Sequence, residues 1–153
     1  MIRQNRVTPC LLLLLALATA GAARAQADLI DTSTQCFGMH CCPSGYALRG
    51  AHVDQNRFLC RRVSQANEDC FVDHATPRSG MHACPEGTYM RGLRADRNQL
   101  TCCYDGTLGG QPFSSEAADT STQIQGMQAC PAQPVTVMTG IHLGQNRFLC
   151  AMP

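Results

Sequence analysis

Hydrophobic and polar positions along the chain follow two regimes. Cys10 to Ala23 is a nearly continuous apolar run that includes Leu11 to Leu15, and Arg3 and Arg6 precede it. Ala23-Arg24-Ala25 has the small-x-small pattern of a cleavage site. A basic start, a short apolar stretch and that pattern predict a signal peptide over 1–25, cut before Gln26. About 14 apolar residues are too few to cross a bilayer, which takes roughly 20. Beyond residue 30 the apolar positions become short and alternating. They fall at Leu48, Ala51 and Val53, at Met90, Leu93 and Ala95, and at Met138, Ile141 and Leu143. Each series changes phase across a glycine (Gly50, Gly92, Gly140). A glycine bulge there keeps one face of a strand apolar on both sides of the irregularity. That geometry predicts Arg49 and His52 on the opposite, wet face, with Arg91 and Arg94, and Thr139 and His142, as their equivalents. The polar connection Asp54-Gln55-Asn56 and a second strand ending at Cys60 complete a β-hairpin. Asn tolerates left-handed φ, which suits that connection.

The chain aligns with itself three times. Asp31, Thr34, Gly38, Met39, His40, Cys42, Pro43 and Gly45 open the first copy. Asp73, Thr76, Gly80, Met81, His82, Cys84, Pro85 and Gly87 open the second. Asp119, Thr122, Gly126, Met127, Cys130 and Pro131 open the third. The units run over 31–72, 73–118 and 119–153, and the Gly- and Ser-containing stretch 105–118 reads as a linker. Cys-Pro-x-Gly fits a β-turn; the third copy departs from it at Gln133-Pro134. Each Asp-x-x-Thr segment reads as a side-chain-closed turn. The expected fold is all-β: three tandem disulfide-stapled hairpins, arranged about a pseudo-threefold axis or as a short row.

Eleven cysteines in 153 residues become ten once 1–25 is removed. An even count in an exported chain indicates disulfides. The repeated positions pair as Cys42–Cys60, Cys84–Cys102 and Cys130–Cys150. Cys36, Cys41, Cys70 and Cys103 stand outside the repeat, and their pairing stays open. Cys41 and Cys103 are expected to face away from Cys42 and Cys102. Loss of Arg3, Arg6 and Arg24 moves the formal net charge from +1 to −2. That excludes a strongly basic nucleic-acid binder.

The string Met-His-x-Cys-Pro-x-Gly-x-x-Met-x-Gly-x-His-x-x-x-Asn-x-x-Leu-Cys resembles a motif of secreted, cysteine-rich tandem-repeat proteins of GC-rich bacteria. The resemblance covers nearly all of the chain after residue 25. It implies a secreted or periplasmic repeat protein and carries no activity. The hairpin closed by two cysteines is also similar to dermatopontin-type loops, without that family's Trp and Glu-Asp-Arg signatures.

No Gly-x-Ser-x-Gly, His-Glu-x-x-His or phosphate loop is present, and an even cysteine count leaves no free thiol, so no enzyme and no cofactor are expected. The leading expectation is a non-enzymatic binding or structural protein. Its wet-face candidates are Arg49, His52, Arg91, Arg94, His142 and Arg147. Arginine forks suit carboxylate or phosphate, and repetition suits an anionic polysaccharide or another cell-surface polymer. The first alternative is extracytoplasmic copper or zinc binding through Met39, His40 and His52, Met81, His82 and Met90, or Met127, Met138 and His142. Against it, His40 and His82 become Gln128 in the third copy, and His52 becomes Arg94 in the second. A secreted protease inhibitor is a further alternative, and the oligomeric state is left open.

Overall fold

The computed structural model describes residues 27–63, 69–74, 76–104, 116–119, 122–132 and 136–152. The signal peptide expected over 1–25, most of the linker and the Gln133-Pro134 insertion lie outside the described residues. Three segments follow one strand plan. The first comprises β1 (Leu29–Asp31), β2 (Gln35–Cys36), β3 (Met39–Cys41), β4 (Tyr46–His52) and β5 (Arg57–Arg62). The second comprises β6 (Asp69–Asp73), β7 (Thr76–Arg78), β8 (Met81–Ala83), β9 (Thr88–Arg94) and β10 (Gln99–Tyr104). The third comprises β11 (Glu116–Asp119), β12 (Gln123–Ile124), β13 (Met127–Ala129), β14 (Val137–His142) and β15 (Arg147–Ala151).

The strands form three five-stranded sheets, ordered β1-β5-β4-β13-β12, β2-β3-β9-β10-β6 and β11-β15-β14-β8-β7. Each sheet is centred on one long hairpin, β4–β5, β9–β10 or β14–β15. The strand opening a segment covers one side of its own hairpin. The other side is covered by a short hairpin from a different segment. β2–β3 lies on β9, β7–β8 on β14, and β12–β13 on β4. The exchange is cyclic, so each segment completes another's sheet.

Local chemistry explains these elements. Phe37-Gly38, Ser79-Gly80 and Gln125-Gly126 have positive φ at both positions, the two-residue turn that matches strand twist in a tight hairpin. Asp31 accepts the Ser33 and Thr34 amides at 3.0 and 2.8 Å and the Thr34 hydroxyl at 2.6 Å. Asp73 and Asp119 bond Thr76 and Thr122 in the same way. These are the expected side-chain-closed turns. Gly45 and Gly87 take φ of 80° and 78° in the Cys-Pro-x-Gly turns.

The bulges are present. Register shifts fall between Leu48 and Gly50, and between Met138 and Gly140. In the second hairpin Cys102 faces Met90 while Thr101 faces Gly92. The extra residues are therefore Arg49, Arg91 and Thr139, each preceding a glycine. Their carbonyls accept the amides of Cys130, Cys42 and Cys84, each at 2.8 Å. The glycines face Ala129, Cys41 and Ala83 across the sheet.

This arrangement corrects the wet-face placement of Arg49. Its side chain is only 2% exposed, because the third segment's short hairpin covers the bulge. Val53 also departs from expectation. It begins a turn and is 40% exposed instead of extending the apolar face.

One cluster joins all three hairpins. It contains Leu48, Met90 and Met138, Phe58, Leu100 and Phe148, and the disulfides Cys42–Cys60, Cys84–Cys102 and Cys130–Cys150. Each large apolar side chain buried there contributes roughly 1.5–3 kcal/mol. Each of the three bridges, spanning 18, 18 and 20 residues, adds about 3 kcal/mol in the chain-entropy model. The remaining four cysteines pair as Cys36–Cys41, within the first short hairpin, and Cys70–Cys103, tying β6 to β10. Five disulfides fit an extracellular or otherwise oxidising compartment. Among the described residues no helix is long and apolar enough to cross a membrane.

Candidate functional site

Each long hairpin turns through a short 3-10 segment: Val53–Gln55, Ala95–Arg97 and Leu143–Gln145. The turn then passes through Asn56, Asn98 or Asn146, whose φ values of 49°, 50° and 48° lie in the left-handed region, as the sequence predicts. The Asn56 and Asn98 amides donate back to the Val53 and Ala95 carbonyls at 3.1 and 3.4 Å. Immediately before the turns, His52, Arg94 and His142 end the first hairpin strands in extended conformation. A short hairpin from the neighbouring sheet position lies alongside, and a cleft opens between the two.

Among the described residues three such clefts stand out, with volumes near 440, 360 and 240 Å³. They share walls. Val53 and Ala95 line both the 440 and the 360 Å³ clefts. Ile141, His142 and Leu143 line both the 440 and the 240 Å³ clefts. The clefts therefore form one continuous surface at the turn end of the molecule. Their linings correspond: His40, His82 and Gln128 come from the short hairpins, Asn56, Asn98 and Asn146 from the turns, and Arg94, His142 and His52 from the strand ends.

The 360 Å³ cleft is the most internally tied. His40 Nδ1 lies 2.8 Å from Asn56 Oδ1, and His40 Nε2 lies 2.9 Å from Asp31 Oδ1. The imidazole stacks on Phe58 with centroids 3.9 Å apart and planes 9° from parallel. Burial alone would raise the Asp31 pKa. Hydrogen bonds from the Thr34 hydroxyl and amide, from His40 and from the Ser33 amide outweigh it and bring the value to about 2. Arg94 Nη1 donates to the Gly38 carbonyl at 3.4 Å, and its Nε lies 3.4 Å from Asp96 Oδ1.

Of the six wet-face candidates, the structure gathers His52, Arg94 and His142 at the clefts and leaves the other three elsewhere. Arg49 donates from Nε to the Cys130 carbonyl at 3.1 Å and from Nη1 to the Asp28 carboxylate. Arg61 Nε donates to the same carboxylate at 2.9 Å. Burial, and then the charge of Arg61, lower the Arg49 pKa, and Asp28 opposes them. Half-buried Arg91 repeats the bulge contact, donating from Nε to the Cys42 carbonyl at 2.9 Å. Arg147 reaches Gln145 Oε1 at 3.3 Å. Arg49 and Arg91 thus hold neighbouring segments together.

The alternative metal ligands are dispersed. Met90 and Met138 belong to the central core. Met81 packs with Ala83 and Leu149, and Met127 with Leu59 and Ala129. His40 and His52 line different clefts. Among the described residues no group of three or more His, Cys, Asp or Glu side chains is placed to hold a metal.

Sequence reasoning missed Gln123 and Gln128 as cleft residues, because it missed the short hairpins; it read Asn146 as a turn residue, which it is. The signal was there in the residue–glycine pairs at 37–38, 79–80 and 125–126, each between two short extended stretches. The class that fold and site define is a disulfide-stapled all-β scaffold with joined clefts at one end. No protein-family model, no curated protein and no solved structure matches the chain.

Proposed function

We propose that this chain is an exported, non-enzymatic binding protein of the cell envelope or the extracellular space, and that it holds a surface polysaccharide at its turn end. The observation that carries this reading is the set of three corresponding clefts that share walls. A polymer with repeating units meets similar pockets in succession, and linked weak contacts add into useful avidity. The leader over 1–25 and the five disulfides support export. Burial of Arg49 and the bulge contact of Arg91 remove two guanidinium groups from the anionic-polymer patch. Recognition then rests on the cleft groups His52, Arg94 and His142.

Co-sedimentation of the oxidised protein with purified envelope polysaccharide tests the proposal. The protein is expected to sediment with the polymer, and the combined His52→Ala, Arg94→Ala and His142→Ala variant is expected to lose at least about tenfold in affinity. Failure of the unaltered chain to sediment with any envelope polysaccharide removes the reading.

A further inference from the structure

The three clefts correspond in position, yet they differ in how far their polar groups are engaged. Around the 360 Å³ cleft, His40 is tied at both ring nitrogens and Arg94 is held by Gly38 and Asp96. In the 440 Å³ cleft, Gln128 stands in the position of His40, His52 in that of Arg94 and Asn146 in that of Asn56. Gln123, His142 and Asp54 join them in the lining. Among the described residues, none of these six side chains has a hydrogen-bond or ionic partner. Gln128 Oε1 is shielded from solvent and unpartnered.

The rest of this cleft is apolar. Ala51, Ile141 and Phe148 belong to the core and line it from beneath. Val53, Ala95 and Leu143, the first residues of all three turns, meet there. Amides and imidazoles offer donors and acceptors together. Among the described residues no arginine lines the cleft, and Asp54 is the charged side chain that does. A pyranose ring presents the complementary chemistry: an apolar C–H face and a belt of hydroxyls that both donate and accept. The volume of about 440 Å³ lies in the range of small-molecule sites.

We infer that the cleft lined by His52, Gln123, Gln128, His142 and Asn146 binds an uncharged pyranose unit, its C–H face toward the apolar lining and its hydroxyls toward the amides and imidazoles. This rests on the polysaccharide reading and deepens it, placing the primary contact in one cleft and making the ligand neutral. An acidic sugar finds no guanidinium there and meets Asp54.

Nitrogen-15-labelled oxidised protein, titrated at neutral pH with glucose, galactose, mannose, N-acetylglucosamine, glucuronate and galacturonate, tests this directly. At least one neutral sugar is expected to shift amide signals within 51–54, 123–128 and 141–146. The uronates are expected to bind at least about tenfold more weakly than that sugar. His52→Ala and Gln128→Ala each lower its affinity about tenfold, whereas Glu86→Ala, in a turn at the opposite end of β9, leaves it unchanged. If an alanine variant loses its dispersed spectrum, His142→Ala takes its place. Preference for a uronate, or shifts confined to the cleft around His40 and Arg94, overturns the inference. Silence toward all six sugars also overturns it. A chain silent to the sugars that still sediments with envelope polysaccharide keeps the broader reading; one that does neither loses both.

Discussion

At Gly92 an added Cβ would lie 2.7 Å from both Cys41 Cβ and the His40 carbonyl oxygen, because the first segment's short hairpin crosses β9 there. Gly50 and Gly140 are equally tight against Ala129 and Ala83, at 2.7 and 2.8 Å. Gly144 has nothing nearer than His142 Cε1 at 3.7 Å. Gly92→Ala is therefore expected to destabilise by roughly 1–3 kcal/mol through overpacking. Gly144→Ala is expected to be neutral or to stabilise by up to about 1 kcal/mol. Guanidinium unfolding of both variants checks this. Asp31 gives a pH-dependent expectation. Its folded pKa of about 2 lies below the ordinary value of 3.8, so its contribution is complete above about pH 4. That contribution is lost as pH falls through about 2. The stability gap between the unaltered protein and Asp31→Asn should narrow on going from about pH 5 to about pH 2. A gap that stays constant over that range would contradict the assigned hydrogen bonds. The glycine positions were legible as bulge signals in the sequence. The strand that makes them tight was not, since it comes from a distant part of the chain.

At the level of elements, the long hairpins were readable and their covering strands were not. Alternation, the phase change at glycine and the polar Asn connection all report on contacts within some twenty residues, which is why β4–β5 and its counterparts emerged. Strands of two or three residues, such as β2 and β12, hold too few positions to show a period. The burial of Arg49 follows from that gap, since β13 from the third segment covers it. The single Asp28 carboxylate pairs with both Arg49 and Arg61. Asp28→Ala leaves a buried guanidinium uncompensated and should cost roughly 3–5 kcal/mol. Adding Arg49→Met should recover much of the loss, and chemical denaturation of the single and double variants decides it. Loop length orders the two irregular disulfides. Cys70–Cys103 spans 33 residues and Cys36–Cys41 spans 5. Paired Cys→Ser variants should lose roughly 4 and roughly 2 kcal/mol respectively.

For the whole molecule, the cyclic exchange of short hairpins means that no segment has a complete sheet of its own. Core and clefts are thus products of the assembled chain, whereas each disulfide closes within one segment. The repeated cysteines gave the three core bridges from spacing alone. The irregular four needed the fold: β6 and β10 are distant in sequence and adjacent in the sheet, and Cys36–Cys41 lies in a short hairpin whose strands show no period. Expression with export should yield a chain beginning at Gln26 whose mass rises by ten hydrogens on reduction, one pair for each of five disulfides. Free thiols in the exported protein would contradict this. The proposed binding end is also a property of the assembly, since each cleft takes residues from two segments or more. Hydrogen exchange with and without envelope polysaccharide reads that end most directly. Protection should concentrate at 51–56, 93–98, 123–128 and 141–146. Protection confined to the Cys-Pro-x-Gly turns and to 61–62 and 103–104, which pair at the opposite end of the hairpins, would place the ligand at the wrong end of the molecule and contradict the account.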